Sequence, residues 1–259
     1  METQVLIIGG GVTGTGVARD LALRGVPSVV VEKKDLTAGA SGANHGLLHS
    51  GGRYAGSDPE TAAECKAEGD ILKKVAAGCI EETGGLFVAV EGDDESYIAD
   101  FPHRCSQSGI PVRELSPQHV RELEPAVSSK IIAAFEVDDA SIDPFKLTLE
   151  NMDHAQSLGS RLLRHTEVIA LDCDNRRIRR VRLRNTRTGE DMLVEPQQVV
   201  NAAGAWAKNV AALAGVFIDL IYSKGSLLIS DSRLTSRVIN RLRPASDGDI
   251  PVSYTHLRA

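Results

Sequence analysis

Three glycines near the start of the chain, Gly9, Gly11 and Gly14 in "VLIIGGGVTGTGVARD", are spaced G-x-G-x-x-G. The first allows a tight turn, the second lets backbone approach a pyrophosphate, and the third lets a helix pack on a strand. A phosphate so placed sits at a helix N-terminus, where unpaired N–H groups and the helix dipole favour an anion. Eighteen residues after Gly14 stands Glu32. Its carboxylate can accept hydrogen bonds from both hydroxyls of an adenine ribose and would repel a 2′-phosphate. These residues therefore offer capture of an ADP group with a free 2′-hydroxyl. A second set lies in "TAGASGANHGLLHSGGRYA". His49 is of the type that takes a proton near neutral pH, and Arg53 presents the paired donors that suit a phosphate. Each also has a plainer role open to it: a histidine hydrogen-bonded in a packed loop, and a surface arginine beside a carboxylate. His45 and His49 stand four apart, but no H-E-x-x-H glutamate accompanies them and glycine surrounds them. No metal site is expected there.

The elements that must position these groups are legible in outline. Val5 to Ile8 is an apolar run that reads as a buried parallel strand, and Val17, Ala18, Leu21 and Ala22 mark a helix after Val12. Ser28 to Val31 is the next strand and delivers Glu32 at its end. Residues 33–60 are rich in glycine and small side chains, a loop where backbone can approach something large. Three helices are predicted from a cap residue followed by proline: Asp58-Pro59, Ser116-Pro117 and Asp143-Pro144, the last running to Leu158 and stopped by Gly159. Residues 86–90, 112–115 and 131–137 read as strands. The middle segment is thus mixed α+β, inserted into the nucleotide-binding domain. Strands return at "RLLRH", "EVIAL", the basic run and "QQVVNAAGAW", where Val199 and Val200 open into Asn201, Ala202, Ala203 and Gly204. "KGSLLI", 224–229, is expected to begin a further strand.

Composition narrows the function class. At 259 residues the chain can bury one large or two modest cores. A net charge of −6 recommends neither nucleic acid nor an anionic membrane as the main partner. The basic run "RRIRRVRLR", 176–184, is interrupted by Ile178, Val181 and Leu183 and reads as a solvated hairpin strand. The four cysteines, Cys65, Cys79, Cys105 and Cys173, show no C-x-x-C spacing, which suits a reducing cytoplasm. No apolar stretch reaches membrane-spanning length, so membrane association is expected to be peripheral.

NAD and FAD both satisfy the first motif. A flavin also needs a second glycine-rich approach, which the stretch from Thr37 to Gly52 can supply. "IGGGVTGTGVARDLALRG" resembles the N-terminal signature of the FAD-dependent glycerol-3-phosphate dehydrogenases, and the likeness continues through "GASGANHGLLHSGGRYA", "EPAV", "DPFKLT", "VVNAAGAW" and "KGSLLI". Within that family it is strongest to the anaerobic branch and extends to about Ile250. The resemblance implies a D-amino-acid-oxidase-like α/β fold. A Rossmann-like FAD-binding domain, 1–80 with 145–212, would carry an inserted mixed α+β substrate domain, 81–144 with 213–250. It implies FAD as cofactor, with Glu32 on the adenine ribose and Gly9, Gly11 and Gly14 on the pyrophosphate. Ser41, Asn44, His45, Gly46 and Leu47 would line the flavin side, Val168 would contact the adenine end, and Ala203 and Gly204 would reach the pyrophosphate. It places Arg53 and Tyr54 toward substrate, and His49 and Lys224 among the catalytic groups. Relatives carry a proline shortly before that lysine, where Tyr222 and Ser223 stand here.

The implied reaction is oxidation of glycerol 3-phosphate to dihydroxyacetone phosphate with a quinone-linked acceptor. The implied partners are membrane-anchoring and electron-transfer subunits, at the inner face of the cell membrane. Two alternatives stay open: an amine or amino-acid oxidase of the same fold, and a flavin-binding fragment without turnover. The chain is shorter than the family, and "SYTHLRA" within 251–259 reads as a non-native tail. The chain is therefore expected to be marginally stable and to turn over negligibly while keeping its ADP-binding architecture.

Overall fold

The computed structural model describes residues 1–244 and 249–250. The tail expected at 251–259 lies outside the described residues. In chain order the strands and helices are β1 (Glu2–Ile8), α1 (Val12–Leu23), β2 (Ser28–Val31), β3 (Leu47–Leu48), α2 (Pro59–Val75), β4 (Ile80–Glu81), β5 (Gly85–Val90), α3 (Glu95–Gln107), β6 (Arg113–Leu115), α4 (Pro117–Leu123), β7 (Ile131–Val137), β8 (Ala140–Ile142), α5 (Pro144–Ser157), β9 (Arg161–Leu163), β10 (Thr166–Asp174), β11 (Arg177–Asn185), β12 (Asp191–Asn201), α6 (Ala207–Ala212), β13 (Val238–Arg241) and β14 (Asp249–Ile250). They form two compact units, Met1–Asn44 with Pro144–Ser226, and His45–Asp143 with the described residues from Leu227 onward.

The first unit is built on one sheet in the order β10-β11-β12-β1-β2-β9. Strands β12, β1, β2 and β9 run parallel, while β10, β11 and β12 form an antiparallel meander. The apolar run of β1 is buried on both faces because successive side chains alternate. Val5 and Ile7 pack with Ala18, Ala22, Met152 and Ala155 of α1 and α5. Leu6 and Ile8 pack with Leu171, Val181, Leu183 and Val194 of the meander. The basic run is the middle strand of that meander: Val181 and Leu183 point inward, and Arg180, Arg182 and Arg184 pair with Glu195, Asp172 and Asp191 on its surface.

In the second unit a five-stranded sheet, β14-β13-β5-β7-β6, is packed on both faces. Phe87, Phe135 and Val137 meet Ile98, Phe101 and Cys105 of α3 on one side. The ring centroid of Phe101 lies 4.9 Å from that of Phe87 and 5.4 Å from that of Phe135. Leu86, Val88, Ala134 and Ile239 meet Val120 of α4 on the other. A small sheet, β3-β8-β4, accompanies it.

Three features depart from the sequence expectations. Sequence groups residues 45–80 with the nucleotide-binding domain and 213–226 with the substrate domain, yet their contacts place the former in the second unit and the latter in the first. Leu47 and Leu48 pair with β8, and Ala55 and Ala62 lie in the Phe101 core. Helix α3 is unexpected, because Pro102 stands inside it and removes one backbone donor. Its start is set by Asp94, whose side chain accepts from the Ser96 and Tyr97 amides, and its apolar face holds it in place. "KGSLLI" forms no strand: residues 216–230 are irregular and pair with no strand among the described residues. An apolar run becomes a strand only with a ladder partner, and Leu228 and Ile229 are exposed. No helix among the described residues is long and apolar enough to cross a membrane.

Candidate functional site

The glycine turn joins β1 to α1, and each glycine there is required by a specific neighbour. Gly9 has φ +116°, and a Cβ on it would lie 2.3 Å from the Ala202 carbonyl oxygen. A Cβ on Gly14 would lie 2.0 Å from the Gly9 carbonyl oxygen, so the helix starts directly against the turn. Gly14→Ala must push these backbones apart. We expect it to cost about 1–3 kcal/mol, measured by urea unfolding; an unchanged midpoint would contradict the contact. Gly10, outside the G-x-G-x-x-G pattern, is also constrained: a Cβ would lie 2.9 Å from Glu32 Cβ and from Leu36 Cδ2.

Glu32 leaves β2 directly over this turn. Its Oε2 accepts the Gly10 amide at 2.8 Å and its Oε1 accepts the Lys34 amide at 2.8 Å. A carboxylate has about four lone-pair sites, so two remain for a pair of ribose hydroxyls. Thr166, at the start of β10, donates its amide to the Glu32 carbonyl at 2.8 Å, and Val168 follows two residues on, packed against the meander core. Ser41 Oγ accepts the Val12 amide at 3.0 Å and lies where a Cβ on Gly11 would meet it at 2.8 Å. Asn44 donates to the Ser41 carbonyl at 2.8 Å. Beyond β12, Ala202 donates to the Ile8 carbonyl at 2.9 Å, which carries Ala203 and Gly204 to the turn. The first unit thus brings together Gly9, Gly10, Gly11, Gly14, Glu32, Ser41, Ala203 and Gly204, with Val168 on the strand that starts at Glu32. The first-turn amides of α1 have no intrahelical acceptor. Amides at a helix start beside a glycine turn, with a carboxylate that has two lone pairs to spare, are the donor and acceptor set that an ADP group requires.

The second unit holds a cluster of different chemistry. His45 and His49 rings meet edge-on with centroids 6.0 Å apart, and His49 and Tyr54 rings likewise at 5.7 Å. His45 Nδ1 accepts the Leu47 amide at 3.2 Å, which leaves its Nε2 as the donor of the neutral ring. Gly46, at φ +66°, is tied to β8 through its carbonyl, which accepts the Ile142 amide at 2.8 Å. Burial pushes His49 down to about 4 against the opposing charge of Asp139, with the Arg53 guanidinium and His45 lowering it further. Burial, then the charge of Arg53, also lowers His45. Both shifts favour the neutral rings; His45 already spends its Nδ1 lone pair on the Leu47 amide, whereas no such bond engages the His49 ring among the described residues. Lys224 stands apart from any such cluster: it is exposed, on the irregular segment of the first unit.

Sequence does not single out Ser50, Asp139 or Asn240. Ser50 donates its amide to Asp139 Oδ1 at 2.7 Å, and Asn240 donates to Asp139 Oδ2 at 2.8 Å. They are 89 and 101 residues from Asp139, so no local pattern links them.

A family model described as FAD dependent oxidoreductase matches residues 4–258. The chain is 46% identical over 251 residues to one subunit of the anaerobic glycerol-3-phosphate dehydrogenase of Escherichia coli (strain K12), covering 97% of this chain and 46% of that protein. It therefore spans about half the length of the curated relatives it matches. Among solved structures, L-proline dehydrogenase from P. horikoshii superposes with a TM-score of 0.71 at 27% identity, over 83% of this chain and 56% of that one. The L-α-glycerophosphate oxidase of Mycoplasma pneumoniae, solved with FAD bound, superposes with a TM-score of 0.73 at 20% identity, over 93% of this chain and 65% of that one, a likeness of fold.

Proposed function

The chain belongs to the FAD dependent oxidoreductase family, and on that premise we propose that it is the FAD-binding part of an enzyme oxidising sn-glycerol 3-phosphate to dihydroxyacetone phosphate. The observation that carries this is the presence, in one chain, of a glycine turn topped by Glu32 and of a neutral, half-buried His49 under the influence of Arg53 and Tyr54. FAD, when bound, would supply the acceptor for a hydride. Gly9, Gly11 and Gly14 would hold its pyrophosphate and Glu32 its adenine ribose, with Val168 toward the adenine and Ala203 and Gly204 approaching from β12. Ser41, Asn44, His45, Gly46 and Leu47 are the residues assigned to the flavin side.

Arg53 reads the substrate phosphate and Tyr54 flanks it. As the C2–H bond breaks and its electron pair leaves as hydride, His49 takes the C2 hydroxyl proton and the C2 carbonyl forms. Neutral His49 is in the state that step needs. Lys224, exposed on the irregular segment after α6, is assigned to the substrate side. The relative at 46% identity is one part of a larger anaerobic enzyme. That supports further subunits as partners, and we extend the proposal to membrane-anchoring and electron-transfer subunits, a quinone-linked acceptor and peripheral placement on the inner face of the cell membrane.

Two results test the reading. Glu32→Ala removes the ribose acceptor and is expected to weaken FAD binding by about 1–3 kcal/mol; unchanged affinity by titration would remove the ribose assignment. Anaerobic addition of glycerol 3-phosphate to the FAD-loaded protein is expected to bleach the oxidised flavin band, with glycerol inert. Bleaching by amino acids instead would favour the amino-acid oxidase alternative, for which the 27% identity to L-proline dehydrogenase speaks.

A further inference from the structure

Asp139 is 1% exposed, and so is its partner Asn240. The two donors it meets, the Ser50 amide and the Asn240 side chain, carry no charge. Space for the carboxylate is made by β5: a Cβ on Gly85 would lie 2.5 Å from Asp139 Oδ2. Among the described residues Asn240 Oδ1 meets no hydrogen-bond partner, so within them the pair does not close into a fully satisfied network. A carboxylate buried with no cation in salt-bridge contact among the described residues is a costly choice where a neutral residue would fill the space. Its effect on its surroundings is visible twice. Burial and then the Asp139 charge push Cys105 up to about 12, and the same charge opposes the burial of His49.

The Ser50 amide belongs to the peptide that joins His49 to Ser50, so the bond to Asp139 anchors the backbone of His49 itself. The groups that act on the His49 ring are Asp139, Arg53, His45 and the Tyr54 ring edge. Of these, Arg53 and His45 disfavour a proton on His49, and Asp139 is the one among the described residues that favours one. We propose that Asp139 is a positioning residue for His49, fixing the His49–Ser50 peptide and supplying the buried negative charge that the imidazolium requires once His49 has taken a proton. This rests on the reading of His49 as the proton acceptor.

The test exchanges the two partners, Asp139→Asn together with Asn240→Asp. An acceptor oxygen remains for the Ser50 amide and the pair survives, but the charge moves onto β13. His49 ring resonances followed by NMR are expected to titrate with a midpoint about one pH unit below that of the wild type. The Ser50 amide is expected to keep its hydrogen-exchange protection. In Asp139→Ala the same amide is expected to exchange roughly tenfold or more faster. An unchanged His49 midpoint in the exchanged protein would overturn the proposal. So would a wild-type Ser50 amide that exchanges like an open loop, a result that needs no variant to fold. Glycerol 3-phosphate shifting the His49 resonances is a separate arm: its failure would strike the substrate reading and leave the Asp139 result standing.

Discussion

Replacing Arg53 by alanine is expected to weaken glycerol 3-phosphate binding by about 2–5 kcal/mol, while FAD affinity stays unchanged. The guanidinium offers paired donors to a phosphate, and it is close enough to His45 and His49 to disfavour a proton on each. Two readouts follow from one substitution. Substrate affinity falls for the phosphate ester and not for glycerol, and both histidines titrate at higher pH than in the wild type. Equal losses for glycerol 3-phosphate and glycerol would show that Arg53 does not read phosphate.

The second large effect is on acid stability. His49 titrates at about 4 in the folded protein and near 6.5 when unfolded, so between those values the unfolded chain binds more protons. Stability conferred by the neutral, half-buried ring is fully present above about pH 6.5 and is lost as the pH falls through 4. The loss amounts to roughly 3 kcal/mol at most. His45 is lowered in the same sense and adds to it. In urea titrations at a series of pH values, His49→Gln is expected to flatten this part of the curve. Parallel curves for wild type and variant would contradict the assignment of acid sensitivity to His49.

The β1-α1-β2 unit and Glu32 are legible because every signal is local: an apolar run, three glycines, a helical period and an acid at fixed spacing. Proline-capped starts place α2, α4 and α5 for the same reason. Helix α3 is hidden because Pro102 argues against a helix, and only the packing of Phe101 between Phe87 and Phe135 overrides it. The place of His45 to Tyr54 in the second unit depends on β3 pairing with β8, which lies more than ninety residues away in the chain. "KGSLLI" has the composition of a strand, and composition does not supply a partner. Asp139 looks like any acid in "VDDASID". Its burial and its bonds to Ser50 and Asn240 exist only in three dimensions. The candidate site divides accordingly: nucleotide-facing groups follow from spacing, and the electrostatics of His49 follow from the fold.

The central claim is that this chain holds the ADP half of FAD on the Gly9–Gly14 turn with Glu32 on its ribose. It is tested most directly by titrating the purified protein with FAD and competing with ADP and with 2′,5′-ADP. The account predicts saturable FAD binding with an oxidised flavin spectrum, displaced by ADP and resisted by the 2′-phosphorylated analogue, which would set a phosphate against the Glu32 carboxylate. Absence of saturable FAD binding, or equal competition by the two nucleotides, would contradict it.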